Sequence, residues 1–219
     1  MKLHVSLKRQ ATLLLVGELL LLLSSALWEN IEVGGNIEVG GNWPVWLYLI
    51  LFSAGGYTLA GSKRWLAAYL AASLLAVGLA LIPAQNPVTE IVSCVFFAVA
   101  FAMLFRLIVA HCFFRDGVDP TDRLIGGIAG YLLLGFFWAT QAPLAGLAQE
   151  FGFLNTRTGE AAHGAELLYF SFVTLTTLGY GDIVPVTAIA RLLVILNSTT
   201  GVLYVAIFVS ALVAGMRRE

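Results

Sequence analysis

Thr174-Leu-Thr-Thr-Leu-Gly-Tyr-Gly-Asp182 is the stretch whose reading decides the fold. Glycine accepts backbone angles closed to other residues, so Gly179 and Gly181, at alternate positions around Tyr180, let successive carbonyls turn toward one side. A file of carbonyl oxygens of this kind can replace the water around a small dehydrated cation more uniformly than side chains on flexible stems. Thr177 can add its hydroxyl oxygen at the inner end. The plain alternative is a Gly-Tyr-Gly turn in an exposed loop, and the chain around it has to decide between the two.

That chain is membrane-like. Of its 219 residues 59% are hydrophobic and 11% charged, with a mean hydropathy of +0.89, where a soluble domain carries about a quarter charged residues. The formal net charge of −1 and the scatter of basic residues among short loops give no footprint for nucleic acid. About twenty apolar residues cross a bilayer as a helix, and six segments qualify: 11–28, 43–60, 65–82, 90–113, 124–147 and 187–216. A shorter apolar piece, 164–176, is too short to cross and directly precedes the glycines, so it reads as a re-entrant half-helix. Irregular backbone at membrane depth is tolerated where protein buries it or it lines a watery path. The fold expected is therefore an all-α membrane protein of six transmembrane helices, a re-entrant half-helix and a loop carrying the carbonyl file.

Lys and Arg gather on the cytoplasmic side of membranes. With the amino terminus inside, that side receives Lys2, Lys8, Arg9, Lys63, Arg64, Arg115, Arg123, Arg217 and Arg218, and the outside only Arg157 and Arg191. Both termini are then cytoplasmic and Asp182 faces outward. The first thirty residues have the layout of a signal peptide, but cleaving them would spoil this topology. Ile-Glu-Val-Gly-Gly-Asn occurs twice, at 31–36 and 37–42. Two copies are too few for a solenoid, and a turn-rich outer loop is a plainer reading than a calcium site on Glu32 and Glu38. The most polar inner stretch, ending in Asp119-Pro-Thr-Asp-Arg123, marks a module boundary. It divides a four-helix bundle (1–115) from a linker (116–123) and a last module (124–219), with Pro120, Thr121 and Asp122 signalling a helix start.

Thr177-Leu-Gly-Tyr-Gly-Asp182 resembles the selectivity filter of the tetrameric potassium channels, with Leu178 in place of the family's valine, and residues 122–219 resemble that family's helix-filter-helix pore module. The resemblance implies a homo-tetramer around one axis, with Thr177, Leu178, Gly179, Tyr180 and Gly181 binding potassium ions and Asp182 at the outer mouth. It makes Tyr169, Phe170, Val173 and Thr176 the supports behind the filter. Val173 occupies the place of a glutamate that partners the filter aspartate in some members, which leaves Asp182 to find another donor or face water. Gly201 corresponds to a bending point of the pore-lining helix, although glycine also serves close helix packing. Val202, Val205, Val209 and Val213 would line an apolar cavity below.

Four helices before a pore module match the plan of voltage-gated members, yet the fourth carries only Arg106. Moving one charge through 100 mV yields about 2.3 kcal/mol, and steep gating needs three or four per subunit. Weak or absent voltage dependence is the consequence. Glu18 and Arg106 each sit about 10 Å deep from the inner surface, where charges are usually paired; a Glu18 to Arg106 bridge is one expectation and snorkelling of Arg106 the other. Cys94 and Cys112 read as small hydrophobes. His4, His111 and His163 have no metal-ligand spacing, and no cluster of acid, base and nucleophile suggests an enzyme. The expected function is passive potassium conduction without cofactors, in a prokaryotic plasma membrane, with no soluble ligand-binding domain. A poorly selective cation channel is the alternative within the class, and a cation transporter subunit the one outside it.

Overall fold

The computed structural model describes residues 12, 15–20, 22–23, 63–80, 87–114, 118–146 and 151–216. The repeated loop with Glu32 and Glu38, the expected second span at 43–60, and residues 217–219 lie outside them. Among the described residues the helices with both ends placed are α1 (Lys63–Ala80), α2 (Pro87–Phe114), α3 (Pro120–Gln141), α4 (Gly164–Leu175) and α5 (Ala188–Met216). Residues 15–20 are also helical. Among the described residues three stretches are long and apolar enough to cross a membrane, Ile91–Ala110, Pro120–Gly146 and Ala188–Val213. At twelve residues α4 is the short apolar helix, about 18 Å long, as its length in the sequence requires.

The start of α3 shows how local chemistry sets a boundary. Asp119 caps it, its Oδ1 accepting the Thr121 N–H at 2.8 Å, and Pro120 fills the first position, where a missing N–H costs nothing. Four residues assigned from sequence to the linker thus belong to the helix. At its far end α3 tightens into a 3-10 turn, Ala142–Gly146.

The helices pack α1 on α2, α2 on α3, and α3 on both α4 and α5, with α4 also against α5. One core runs through them, including Tyr69, Phe101, Leu104, Leu133, Phe136 and Leu175. The Phe101 and Phe137 rings stack at 4.3 Å, joining α2 to α3. Aromatic rings from α4 and α5 lie directly on the glycines of α3. A Cβ added at Gly127 would meet Phe208, one at Gly130 the Tyr204 hydroxyl, and one at Gly135 the Phe172 ring.

The chain is mostly helical, and the described residues add one small two-stranded sheet. Strand β1 (Phe153–Asn155) pairs antiparallel with β2 (Ile183–Pro185), matching Asn155 with Ile183. The segment after β1 turns back through Gly159, which has φ of 76°, and returns to a bridge between Leu154 and Ala161. Peptide groups leaving the Gly-Tyr-Gly segment have no helix to bond within, and this hairpin supplies their partners.

Candidate functional site: the Thr177 to Gly181 segment

Helix α4 ends at Leu175 with Thr176 as its cap, and the orphan carbonyls of its last turn are met by the amides that follow. Thr177 N–H donates to the Thr174 carbonyl at 3.0 Å and Leu178 N–H to that of Val173 at 2.9 Å, with Gly179 N–H at 3.4 Å from the same oxygen. The amides of Thr177, Leu178 and Gly179 therefore point back at the helix.

Beyond the cap the backbone alternates in hand. Thr177 (φ 61°), Gly179 (59°) and Gly181 (80°) are left-handed, while Leu178 and Tyr180 between them are not. Alternation of this kind turns successive amides to one side and successive carbonyls to the other. A Cβ built at Gly179 or Gly181 meets nothing within 4 Å, so backbone angle alone requires glycine there. Thr177 is the sole non-glycine residue with positive φ among the described residues, a strained state for a β-branched side chain of the sort found at functional sites. Its hydroxyl has no partner within the described residues. Residues 176–181 are all exposed; Leu178 and Tyr180 expose 56% and 66% of their surface.

At the far end of the segment Asp182 finds the donor that Val173 does not supply. Its Oδ2 accepts the Tyr169 hydroxyl at 2.8 Å, and Arg157 lies 3.6 Å away. The Tyr169 hydrogen bond, more than the Arg157 charge, holds the Asp182 carboxyl below the usual carboxylate range. Tyr169 thus acts through a hydroxyl, whereas the Phe170 ring turns to Phe153 in β1, at 5.0 Å, bracing the hairpin instead of the segment. Val173 contributes its carbonyl, and the Thr176 hydroxyl bonds its own helix at the Phe172 carbonyl.

Sequence reasoning passed over a second set of supports. Thr156 N–H donates to the Asp182 carbonyl at 2.8 Å and the Thr156 hydroxyl to the same oxygen at 3.0 Å. Asn155 Nδ2 donates to Glu166 at 2.7 Å, and the Glu166 carboxylate also accepts the His163 N–H, so the hairpin is fastened to the start of α4. From behind, Tyr131 donates to the Leu175 carbonyl, Ser171 to the Gly135 carbonyl, and Asn197 to the Ser171 carbonyl. The signal that could have found the hairpin is Asn155 with Gly159, a turn pair whose Asn side chain accepts the Arg157 N–H.

Gly201 is buried in α5 against the end of α4, where an added Cβ would lie 2.3 Å from the Leu175 carbonyl oxygen. It is a seat for the half-helix, inside a helix that continues unbroken from Ala188 to Met216. Val202, Val205, Val209 and Val213 are all exposed on the single chain. The Glu18 to Arg106 bridge is not made. Glu18 is buried, on the face shared by Leu15 and Leu22, which pack on the core, and among the described residues neither of its carboxylate oxygens has a hydrogen-bond partner. Arg106 is exposed, on the α2 face that also carries Ile91, Val95 and Val99. Cys94 is buried, its thiol donating to the Thr140 carbonyl at 3.4 Å.

Residues 127–218 match the family model described as Ion channel, a stretch that begins inside α3 and extends two residues past the last residue of α5. The chain is also similar to two pore potassium channel b of Oryza sativa subsp. japonica, 38% identical over 100 residues, which cover 44% of this chain and 25% of that protein. It therefore spans about a quarter of the length of the curated relative that it matches. No solved structure matches the chain. Together with the apolar helices, these similarities support an ion-channel domain in an integral membrane protein.

Proposed function

We propose that this protein is a potassium-selective channel that conducts K+ passively across a membrane through the backbone carbonyls of Thr177 to Gly181. The observation that carries the reading is the alternating backbone hand at Thr177, Gly179 and Gly181, with the amides of Thr177 and Leu178 bonded back to the end of α4. Carbonyls left on the opposite side can stand in for the hydration shell of a dehydrated monovalent cation. The end of α4 adds the negative pole of a helix dipole beneath them. Retention of Gly-Tyr-Gly favours potassium over a poorly selective pore. One chain supplies one strand of carbonyls, so closed cyclic symmetry follows from the mechanism, and a homo-tetramer of six-helix subunits with cytoplasmic termini is the assembly proposed. No chemistry and no cofactor are needed. The test is ion flux from purified protein in liposomes: the parent should pass K+ and exclude Na+, and Gly181→Ala should abolish the flux. Equal K+ and Na+ permeation by the parent would move the reading to a non-selective channel.

A further inference from the structure

We propose that Thr156 is a positioning residue for the outer end of the conduction path, so that the hairpin of residues 153–162 sets the shape of the filter exit. The inference rests on the potassium-channel reading above. It starts from the strand register. Asn155 pairs with Ile183, and one step further along the same antiparallel register Thr156 faces Asp182, the residue at which the filter ends. Both donors of Thr156 converge there. Its N–H reaches the Asp182 carbonyl at 2.8 Å and its hydroxyl reaches the same oxygen at 3.0 Å. That carbonyl has two lone pairs, and Thr156 takes both.

The Gly181 carbonyl lies 3.4 Å from the same hydroxyl. A hydroxyl has one hydrogen, so in the geometry seen it serves Asp182 first and Gly181 at the limit of hydrogen-bonding distance. Should the peptide between Gly181 and Asp182 rotate, the Gly181 oxygen could be drawn off the ion path or returned to it, and Thr156 is the group that biases this choice. The Asp182 side chain is held separately, by Tyr169 from α4 and by Arg157 from the hairpin. Backbone and side chain at the filter exit are thus fixed from two elements. The backbone half comes entirely from the hairpin, which is tied to α4 by Asn155 and Glu166.

Thr156 is exposed, so its hydroxyl bond competes with water and each removal shifts a balance without unfolding the chain. Current through purified channels in planar bilayers reads that balance as decay during sustained recording. Thr156→Val keeps the shape and the N–H but loses the hydroxyl. Measured against its own starting current, it should decay about fivefold faster than the parent, and raised external K+, which binds the intact outer end, should slow that decay. Thr156→Ser should behave as the parent. Thr158→Val removes a hydroxyl that accepts the Glu160 N–H within the turn; it should also behave as the parent.

Decay in Thr156→Val equal to that of the parent would overturn the proposal, as would equal acceleration in Thr158→Val or in Thr156→Ser, each of which would mean that the loop is merely structural. If Thr156→Val fails to assemble, Thr156→Ala carries the same comparison with Thr156→Ser. A parent that passes no K+ removes the channel reading itself, a result distinct from all of these.

Discussion

Asp182 is where a single residue ties backbone geometry to solution conditions. Its carboxyl titrates below the ordinary range chiefly because the Tyr169 hydroxyl donates to the ionised form. A depressed carboxylate pKa stabilises the folded state at every pH above the ordinary value of about 4 and loses that contribution as pH falls through the lowered value. On the proposed channel reading, acidifying the solution on the Asp182 side from pH 7 to 5 should therefore leave the sustained current unchanged, with loss only at lower pH. Tyr169→Phe removes the largest cause of the shift, so the loss should move upward toward the ordinary carboxylate range. External pH titration of parent and variant measures both, and a transition centred between pH 5 and 7 in the parent would exclude Asp182 as the titrating group. The Arg157 contribution is smaller, since its side chain is 77% exposed, where ion pairs contribute about 0–1 kcal/mol and are weakened by salt.

At the scale of elements, α4, the segment after it and α5 meet at Gly201, and the geometry there separates two roles that the sequence left open. If Gly201 served only as a bending point, alanine would strengthen the helix by about 1 kcal/mol. With the Leu175 carbonyl oxygen 2.3 Å from an added Cβ, alanine must instead push α5 off the end of α4, at a cost of about 1–3 kcal/mol. Gly201→Ala is expected to lower the thermal midpoint of the purified protein; a raised midpoint would favour the hinge. The long helices were legible because each is a continuous apolar run, and the half-helix because it is one too short to cross. The β1–β2 pairing was not, because two three-residue strands about thirty positions apart leave no periodic trace. Glu18 and Arg106 failed for another reason. Counting residues fixed their depth, but pairing also needs the right face, and Arg106 shares its face with exposed Val95 and Val99. The glycines of α3 were likewise unread, since only the fold shows that Phe208, Tyr204 and Phe172 lie on them.

The whole molecule is defined by what one chain leaves uncovered. Only 11% of the apolar stretch of α5 is buried, through a stripe that includes Ala190, Asn197 and Gly201, while Val202, Val205 and Val209 stay open. Leu178 and Tyr180, beside the carbonyls, are open as well. A surface of this kind is covered by lipid or by further copies, and the proposed ring of carbonyls requires copies. Their number can be counted by poisoning. Gly181→Ala disturbs no contact within its own chain, because the Cβ position is empty within 4 Å, but strains the backbone at φ 80°. Co-assembly of equal amounts of parent and variant, with one defective strand enough to spoil a ring, leaves about one-sixteenth of the parental flux for four copies and about one-quarter for two. Flux in liposomes across a series of mixing ratios should follow the fourth power of the parental fraction. A linear decline would mean that each chain conducts alone, and the shared ring of oxygens would then have to be abandoned.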